Sequence, residues 1–74
     1  MMPLAMASPG EDVRLVEIRG GTRMRQRLAD LGLNLGMTVR VMGVNGRGPL
    51  IVAVKDSRLA FGRGMAHRIL VESY

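Results

Sequence analysis

The side chains that could perform catalysis are few in this sequence, and none of them forms a recognisable catalytic pair. The chain has one histidine, His67, and no cysteine. General acid–base and nucleophilic catalysis need a carboxyl, imidazole or hydroxyl group held within hydrogen-bond reach of its partner. The acids are scattered along the chain: Glu11, Asp12, Glu17, Asp30, Asp56 and Glu72. We therefore predict a protein that is not an enzyme and has no catalytic residues.

A resident metal ion or cofactor is not expected either. Without cysteine there is no thiolate ligand, and no group of His, Asp and Glu has the spacing of a metal site. Nitrogen and oxygen ligands could still hold a divalent ion if the fold brought His67 close to Asp56 or Glu72. The other interpretation of His67 is a solvated side chain just before the last strand. A metal-sensing module therefore stays open as an alternative.

The densest charge cluster consists of arginines, namely Arg19, Arg23, Arg25 and Arg27, with no acid between them. The whole chain carries 11 Lys and Arg against 6 Asp and Glu, a net charge of +5. Such a balance favours an anionic partner: nucleic acid, a membrane surface or an acidic protein face. Two interpretations of the cluster are open. It is either a solvated helix face in which Asp30 pairs with Arg27, or an electrostatic dock for an acidic partner.

Two rings, Phe61 and Tyr74, are the only aromatic side chains. Barrels and sheets that bind single-stranded nucleic acid stack bases on several exposed rings. We therefore do not expect nucleic acid as a partner, and keep a small basic nucleic-acid-binding barrel only as an alternative function.

An unusual apolar segment follows the arginine cluster. In it Leu33 and Leu35 stand on either side of Asn34, between Gly32 and Gly36. This segment is a predicted loop, where apolar side chains need a structural reason. They either close one end of the fold or form an exposed apolar patch rimmed by arginines, which is the usual composition of a protein-docking surface.

The elements that position these residues are short. A chain of 74 residues makes one domain, which we expect to be ordered over about residues 4–72, and it buries only about 60% of the surface of the unfolded chain. We predict one helix over residues 22–31, capped by Thr22 and ended by Gly32. Turn signals stand at residues 45–48, and residues 62–67 are predicted irregular with one helical turn at most. The predicted strands are residues 13–18, 37–44, 50–54 and 58–61, and a last strand with Ile69 and Val71.

Five short strands cannot hide two apolar faces as an open sheet. Rolling them into a small barrel buries one face and removes most edges. We therefore predict a mainly β fold, a five-stranded barrel with the helix inserted between strands 1 and 2. In the first strand, alternation puts Val13 and Leu15 on one face and Val16 and Ile18 on the other.

The sequence resembles the FeoA family over about residues 4 to 72. One departure is Leu35, where that family usually has proline before Gly36, and Phe61 replaces a commoner aliphatic residue. The residues that carry the resemblance are Pro9-Gly10, Ile18, Gly20-Gly21, Arg27-Leu28, Leu31-Gly32-Leu33, Gly36, Val39, Val41, Gly48-Pro49, Leu59-Ala60-Phe61, Ala66, Ile69 and Val71.

The resemblance implies a small SH3-like barrel in the cytoplasm of a bacterium or archaeon. FeoA-like proteins accompany the membrane ferrous-iron transporter FeoB, which carries a cytosolic GTP-binding domain, and are thought to be accessory or regulatory modules. A similar barrel occurs at the C-terminus of iron-dependent repressors. Family members are often described as binding transition metals, but no ligand cluster of this sequence supports that, apart from the direct ferrous-iron sensing kept above as an alternative.

Together these observations predict an interaction module that docks on the GTP-binding domain of a FeoB-type transporter. Leu33 and Leu35 would anchor the partner, while Arg23, Arg25 and Arg27 would steer an acidic surface towards them. Direct insertion into the membrane is not expected, because no apolar run approaches the ~20 residues that span a bilayer. An unpaired sheet edge would permit a weak homodimer.

Overall fold

The computed structural model describes residues 1–44 and 48–74. The predicted turn at residues 45–48 falls mostly outside them. The described residues form six strands, two α-helices and one short 3-10 turn, Leu4–Met6. The strands are β1 Met2–Pro3, β2 Asp12–Ile18, β3 Thr38–Val44, β4 Leu50–Val54, β5 Ser57–Phe61 and β6 Ile69–Ser73, and the helices are α1 Thr22–Asp30 and α2 Arg63–Arg68.

The strands form one antiparallel sheet in the order β1-β6-β2-β3-β4-β5. This confirms the mainly β architecture but corrects the number of strands from five to six. The additional strand, β1, pairs Met2 with Val71 and Pro3 with Leu70. Two residues carry no readable alternation, so sequence periodicity missed it. The sheet is open in its hydrogen bonding, and closure into an SH3-like barrel therefore stays a prediction.

A β-bulge changes which face of β2 each side chain occupies. The pairing of β2 with β6 shifts register between Leu15 and Glu17. One extra residue in a strand reverses the alternation beyond it. Ile18 is consequently buried in the core together with Val13 and Leu15, which corrects its predicted place on the opposite face.

A second bulge interrupts β3, between Val41 and Gly43. The alternation predicted for this strand is confirmed, because Val39 and Val41 are buried while Thr38 and Met42 are exposed. Gly43 has φ +137°. Side chains other than hydrogen rarely tolerate this backbone conformation, so the bulge depends on glycine at this position.

The second helix, α2, forms where the sequence predicted irregular structure. It is six residues long and buries Ala66 completely, and it packs against the 3-10 turn that holds the buried Leu4. A helix this short is unstable alone in water, so tertiary packing must maintain it. This dependence on packing explains why local sequence pattern did not predict it.

The core is formed by side chains of the sheet together with Leu28 of α1, Ala66 of α2 and Leu4 of the 3-10 turn. Phe61 is its largest fully buried side chain, so it fills the place that an aliphatic residue usually takes. No polar or charged side chain of the described residues is buried. The core consists of Leu4, Ala7, Val13, Leu15, Ile18, Leu28, Leu33, Val39, Val41, Leu50, Val52, Val54, Phe61, Ala66, Ile69 and Val71.

The strained bulge predicts opposite effects of one substitution at two glycines. Gly43→Ala forces a Cβ into the φ +137° conformation and should lower the free energy of unfolding by about 1–3 kcal/mol. Gly64→Ala, in α2 with open space around its Cβ, should raise it by about 0.4–1 kcal/mol. Urea denaturation followed by circular dichroism measures both. Equal effects of the two substitutions would show that the bulge carries no strain.

An ion pair links β2 to β3 on the exposed face. Asp12 and Arg40 are register partners, and the Arg40 guanidinium donates two hydrogen bonds to the carboxylate, of 2.8 and 3.1 Å. These bonds hold the pKa of Asp12 below its ordinary value. A depressed carboxyl pKa stabilises the fold above the unfolded value of about 3.9, and this contribution is lost as pH falls through the folded pKa.

We therefore expect the wild-type chain to lose more stability between neutral pH and about pH 3 than the Asp12→Asn variant does. Denaturant midpoints measured across that range test it. Asp56→Asn, which removes an exposed acid in the β4–β5 turn, is the control and should keep the wild-type profile. Parallel profiles for wild type and Asp12→Asn would contradict the assignment.

Candidate protein-docking groove

The first helix begins at residue 22 as predicted, but its N-cap lies one residue earlier than expected. Gly21 is the N-cap, in extended conformation, and no side chain caps the helix. Thr22 is the first helical residue, which corrects its predicted capping role. Glycine is an acceptable N-cap, and the absence of a side chain at Gly21 leaves open space beside the start of α1.

The way in which α1 ends determines where the Leu33 side chain lies. Gly32, with φ +87°, ends the helix as predicted. The amide of Leu33 donates to the carbonyl of Leu28 (2.9 Å), and that of Gly32 donates to the carbonyl of Ala29 (2.9 Å). This pair of bonds is a Schellman motif, which commonly brings the residue after the glycine back onto the helix's apolar side. Leu33 is accordingly 2% exposed and lies in the core.

Leu33 therefore cannot anchor a partner, which corrects its predicted role. Leu35 differs because it stands in the turn from Asn34 to Met37, which is closed by a bond from the Met37 amide to the Asn34 carbonyl. It is 53% exposed, and Leu31 at the end of α1 is 42% exposed. The exposed apolar side chains of this segment are thus Leu31 and Leu35, and the predicted pair of Leu33 and Leu35 is divided between core and surface.

The three arginines of α1 are also divided. Arg25 donates to the backbone carbonyls of Ile18 (3.1 Å) and Gly20 (3.4 Å), so its guanidinium is held against the end of β2. Arg25 is nevertheless exposed, so its predicted partner-steering role stays a prediction. Arg23 and Arg27 lie four residues apart, hence on the same helix face, and that face differs from the face of Arg25.

Asp30 does not neutralise this face. Its carboxylate accepts a hydrogen bond of 3.0 Å from the Gln26 amide one turn earlier. The predicted ion pair between Asp30 and Arg27 is absent from the part of the chain described, where acids pair with Arg14, Arg19 and Arg40. Arg23 and Arg27 therefore have no acidic partner among the described residues.

Arg23 and Arg27 line a groove of about 420 Å³ between the two helices. Met24 and Met65 are half-buried and pack against the core, so they form an apolar floor. The exposed arginines stand around this floor as a cationic rim. The groove is lined by Gly21, Arg23, Met24 and Arg27 of α1 and by Gly64, Met65 and Arg68 of α2.

Sequence reasoning missed the half of the groove that α2 supplies. Gly64, Met65 and Arg68 lie 34 to 38 residues after the end of α1 at Asp30, and the first two belong to the segment predicted to be irregular. The available signal was the apolar Met65 between Arg63 and Arg68. It indicates a docking position only once the packing of α2 is known.

The residues considered as metal ligands belong to different segments of the fold. His67 is exposed on α2, Asp56 lies in the β4–β5 turn, and Glu72 pairs with Arg14 across the sheet. Within residues 1–44 and 48–74 no group of three His, Asp or Glu side chains could hold an ion. The arrangement that the structure does build, the groove, can accept an apolar group on its floor and anionic groups at its rim.

The division of the two leucines predicts unequal effects of truncation. Leu33→Ala removes a core side chain and should lower the free energy of unfolding by about 2–5 kcal/mol. Leu35→Ala removes an exposed one and should change it by less than about 0.5 kcal/mol. Thermal or urea unfolding measures the difference. A comparable loss in both variants would place Leu35 in the core as well.

Comparison with known proteins identifies the family. The model of the FeoA domain matches residues 2–73. A candidate Fe(2+) transport protein A from Methanocaldococcus jannaschii is 43% identical over 72 residues, which cover 97% of this chain and 87% of that protein.

Solved structures agree with this assignment. A crystal structure of an iron uptake regulatory protein, FeoA, superposes with a TM-score of 0.87 at 37% identity, over 99% of this chain and 96% of that one. The fold alone is shared with ScaR with bound Zn²⁺, at a TM-score of 0.90, 21% identity, all of this chain and 37% of that one. The family model, the similar transport protein and the similar FeoA structure together show that the chain belongs to the FeoA family.

Proposed function

We propose that this protein is an accessory module of a ferrous iron uptake system and docks on the cytosolic GTP-binding domain of a FeoB-type membrane transporter. Membership of a family of transport accessory proteins supports a role in Fe²⁺ transport and gives no reason to expect an enzyme. The observation that carries the docking proposal is the groove, a half-buried apolar floor lined by three arginines.

The groove has the composition of a protein-binding site. Methionine adapts its shape to different partners and is common at docking surfaces. Arginine is enriched in binding hot spots, and cations around an apolar centre accelerate association with an acidic partner. Leu31 and Leu35 are two further exposed apolar side chains, at and just after the end of α1. Leu35 is thus the one of the two predicted leucines that stays in the proposed contact.

The proposed place of action is the cytoplasm, beside the transporter. No helix within the described ranges is long and apolar enough to cross a bilayer. Contact with the membrane protein would therefore be made through its cytosolic domain.

The alternatives draw less support from the structure. Of the two aromatic rings Phe61 is buried and Tyr74 is exposed, so they form no set of neighbouring exposed rings on which bases could stack. Direct sensing of ferrous iron would need ligands that converge, and His67, Asp56 and Glu72 belong to a helix, a turn and a strand with separate surroundings. Docking on a protein uses side chains that the fold does bring together.

Binding of the purified transporter GTP-binding domain to the full chain tests the proposal. Arg23→Glu with Arg27→Glu reverses two charges at the groove and should weaken binding at least about tenfold. Lys55→Glu with Arg58→Glu changes the net charge equally at the β4–β5 hairpin and should leave the affinity close to wild type. Calorimetry or interferometry measures both. Equal weakening by both pairs would indicate nonspecific attraction, and no binding by the wild-type chain would refute docking.

A further inference from the structure

Two glycines line the groove. Gly21 is the N-cap of α1 and Gly64 lies in the first turn of α2, and a Cβ built on either one meets nothing within 4 Å. Their missing side chains expose the floor formed by Met24 and Met65. At about 420 Å³ the groove lies at the small end of ligand pockets, with room for a side chain or two and not for a folded surface.

The acids of the chain are all engaged or distant from this groove. Two acids on the sheet pair with arginines, Asp12 with Arg40 and Glu72 with Arg14, and Glu17 pairs with Arg19 just beyond β2. The remaining three acids form no ion pair within the described residues. Glu11 accepts a hydrogen bond of 2.8 Å from the Ser8 backbone amide, and Asp30 accepts one from the Gln26 side-chain amide. Asp56 lies in the β4–β5 turn.

None of the six acids lines the groove, while Arg23, Arg27 and Arg68 do. Arg23, Arg27 and Arg68 therefore give the groove a positive charge that no acid of its lining offsets. The rim is complementary to a ligand with negative charges on both sides, since two arginines come from α1 and one from α2.

The shape and chemistry of the floor select among anionic ligands. A nucleic acid would need rings for stacking, and the groove contains none. A lipid surface is recognised by apolar side chains that protrude from a basic face, whereas Met24 and Met65 lie half-buried at the bottom of a recess. A recessed floor receives a side chain that projects from the partner, as in the docking of amphipathic peptides into grooves.

We infer that the groove binds an acidic amphipathic peptide segment. One apolar side chain of that segment lies between Met24 and Met65, and carboxylates before and after it contact Arg23 and Arg27 on one wall and Arg68 on the other. The inference rests on the proposed docking function, from which the segment belongs to the cytosolic part of the transporter.

Methionine-methyl NMR of the full chain tests the inference directly. The probe is a short helical peptide with one leucine flanked by glutamates on the same face. We expect saturable shifts of the Met24 and Met65 methyl signals, while those of Met6 and Met42, exposed elsewhere, stay unchanged. Replacing the peptide's glutamates by lysine, or its leucine by serine, should weaken binding at least about tenfold.

A matched pair of variants tests whether the groove itself is the site. Gly64→Leu fills the groove, whereas Gly62→Leu places the same side chain two residues earlier, outside it. Both positions have open space for a Cβ, so both variants should fold, and the Met42 signal reports on folding. We expect Gly64→Leu to abolish the Met24 and Met65 shifts and Gly62→Leu to preserve them.

The possible results separate this inference from the docking proposal. Equal binding of the leucine and serine peptides, or tighter binding at the same methyl groups by an oligonucleotide or an anionic vesicle, would overturn the inference. So would undiminished binding of the transporter domain by Gly64→Leu, although docking itself would then stand. Peptide binding in the groove without any binding of the transporter domain would support the groove chemistry and refute the docking partner.

Discussion

The structure depends on burying one apolar face of a small sheet without burying a single polar side chain of the described residues. A chain of 74 residues has few side chains for this purpose, so each strand must direct its apolar residues inward. The two bulges serve that requirement. The bulge in β2 returns Ile18 to the core, and the one at Gly43 bends β3 after Val41. Both distort the strand locally and preserve the core.

The same requirement places the helices. Leu28 and Leu33 tie α1 to the core from either side of the turn at Gly32, and Ala66 ties α2 to it against Leu4. Between them lies a groove that the core does not fill, because its edges are glycines and its floor is methionine. The proposed docking site is thus a consequence of how the core is closed.

Charge is divided in the same way as burial. Asp12 and Glu72 pair with arginines on the exposed face of the sheet, where such ion pairs contribute little stability individually. The groove differs from the sheet in this respect, because Arg23, Arg27 and Arg68 line it beside an apolar floor and no acid belongs to its lining. A surface with both properties is suited to a partner that is acidic and amphipathic.

The sequence alone determined the elements with clear periodicity: α1 with its glycine stop, the long strands, the inward Val39 and Val41, and the family. Local pattern could not place β1 or α2, because two and six residues are too short to be stable without their neighbours. Local pattern did indicate that two features were unusual, namely the segment of Leu33 and Leu35 and the arginines of α1. Only tertiary packing decided that Leu33 is core, that Arg25 is held by backbone carbonyls, and that Met65 and Arg68 complete the groove, since burial depends on contacts between residues distant in the chain.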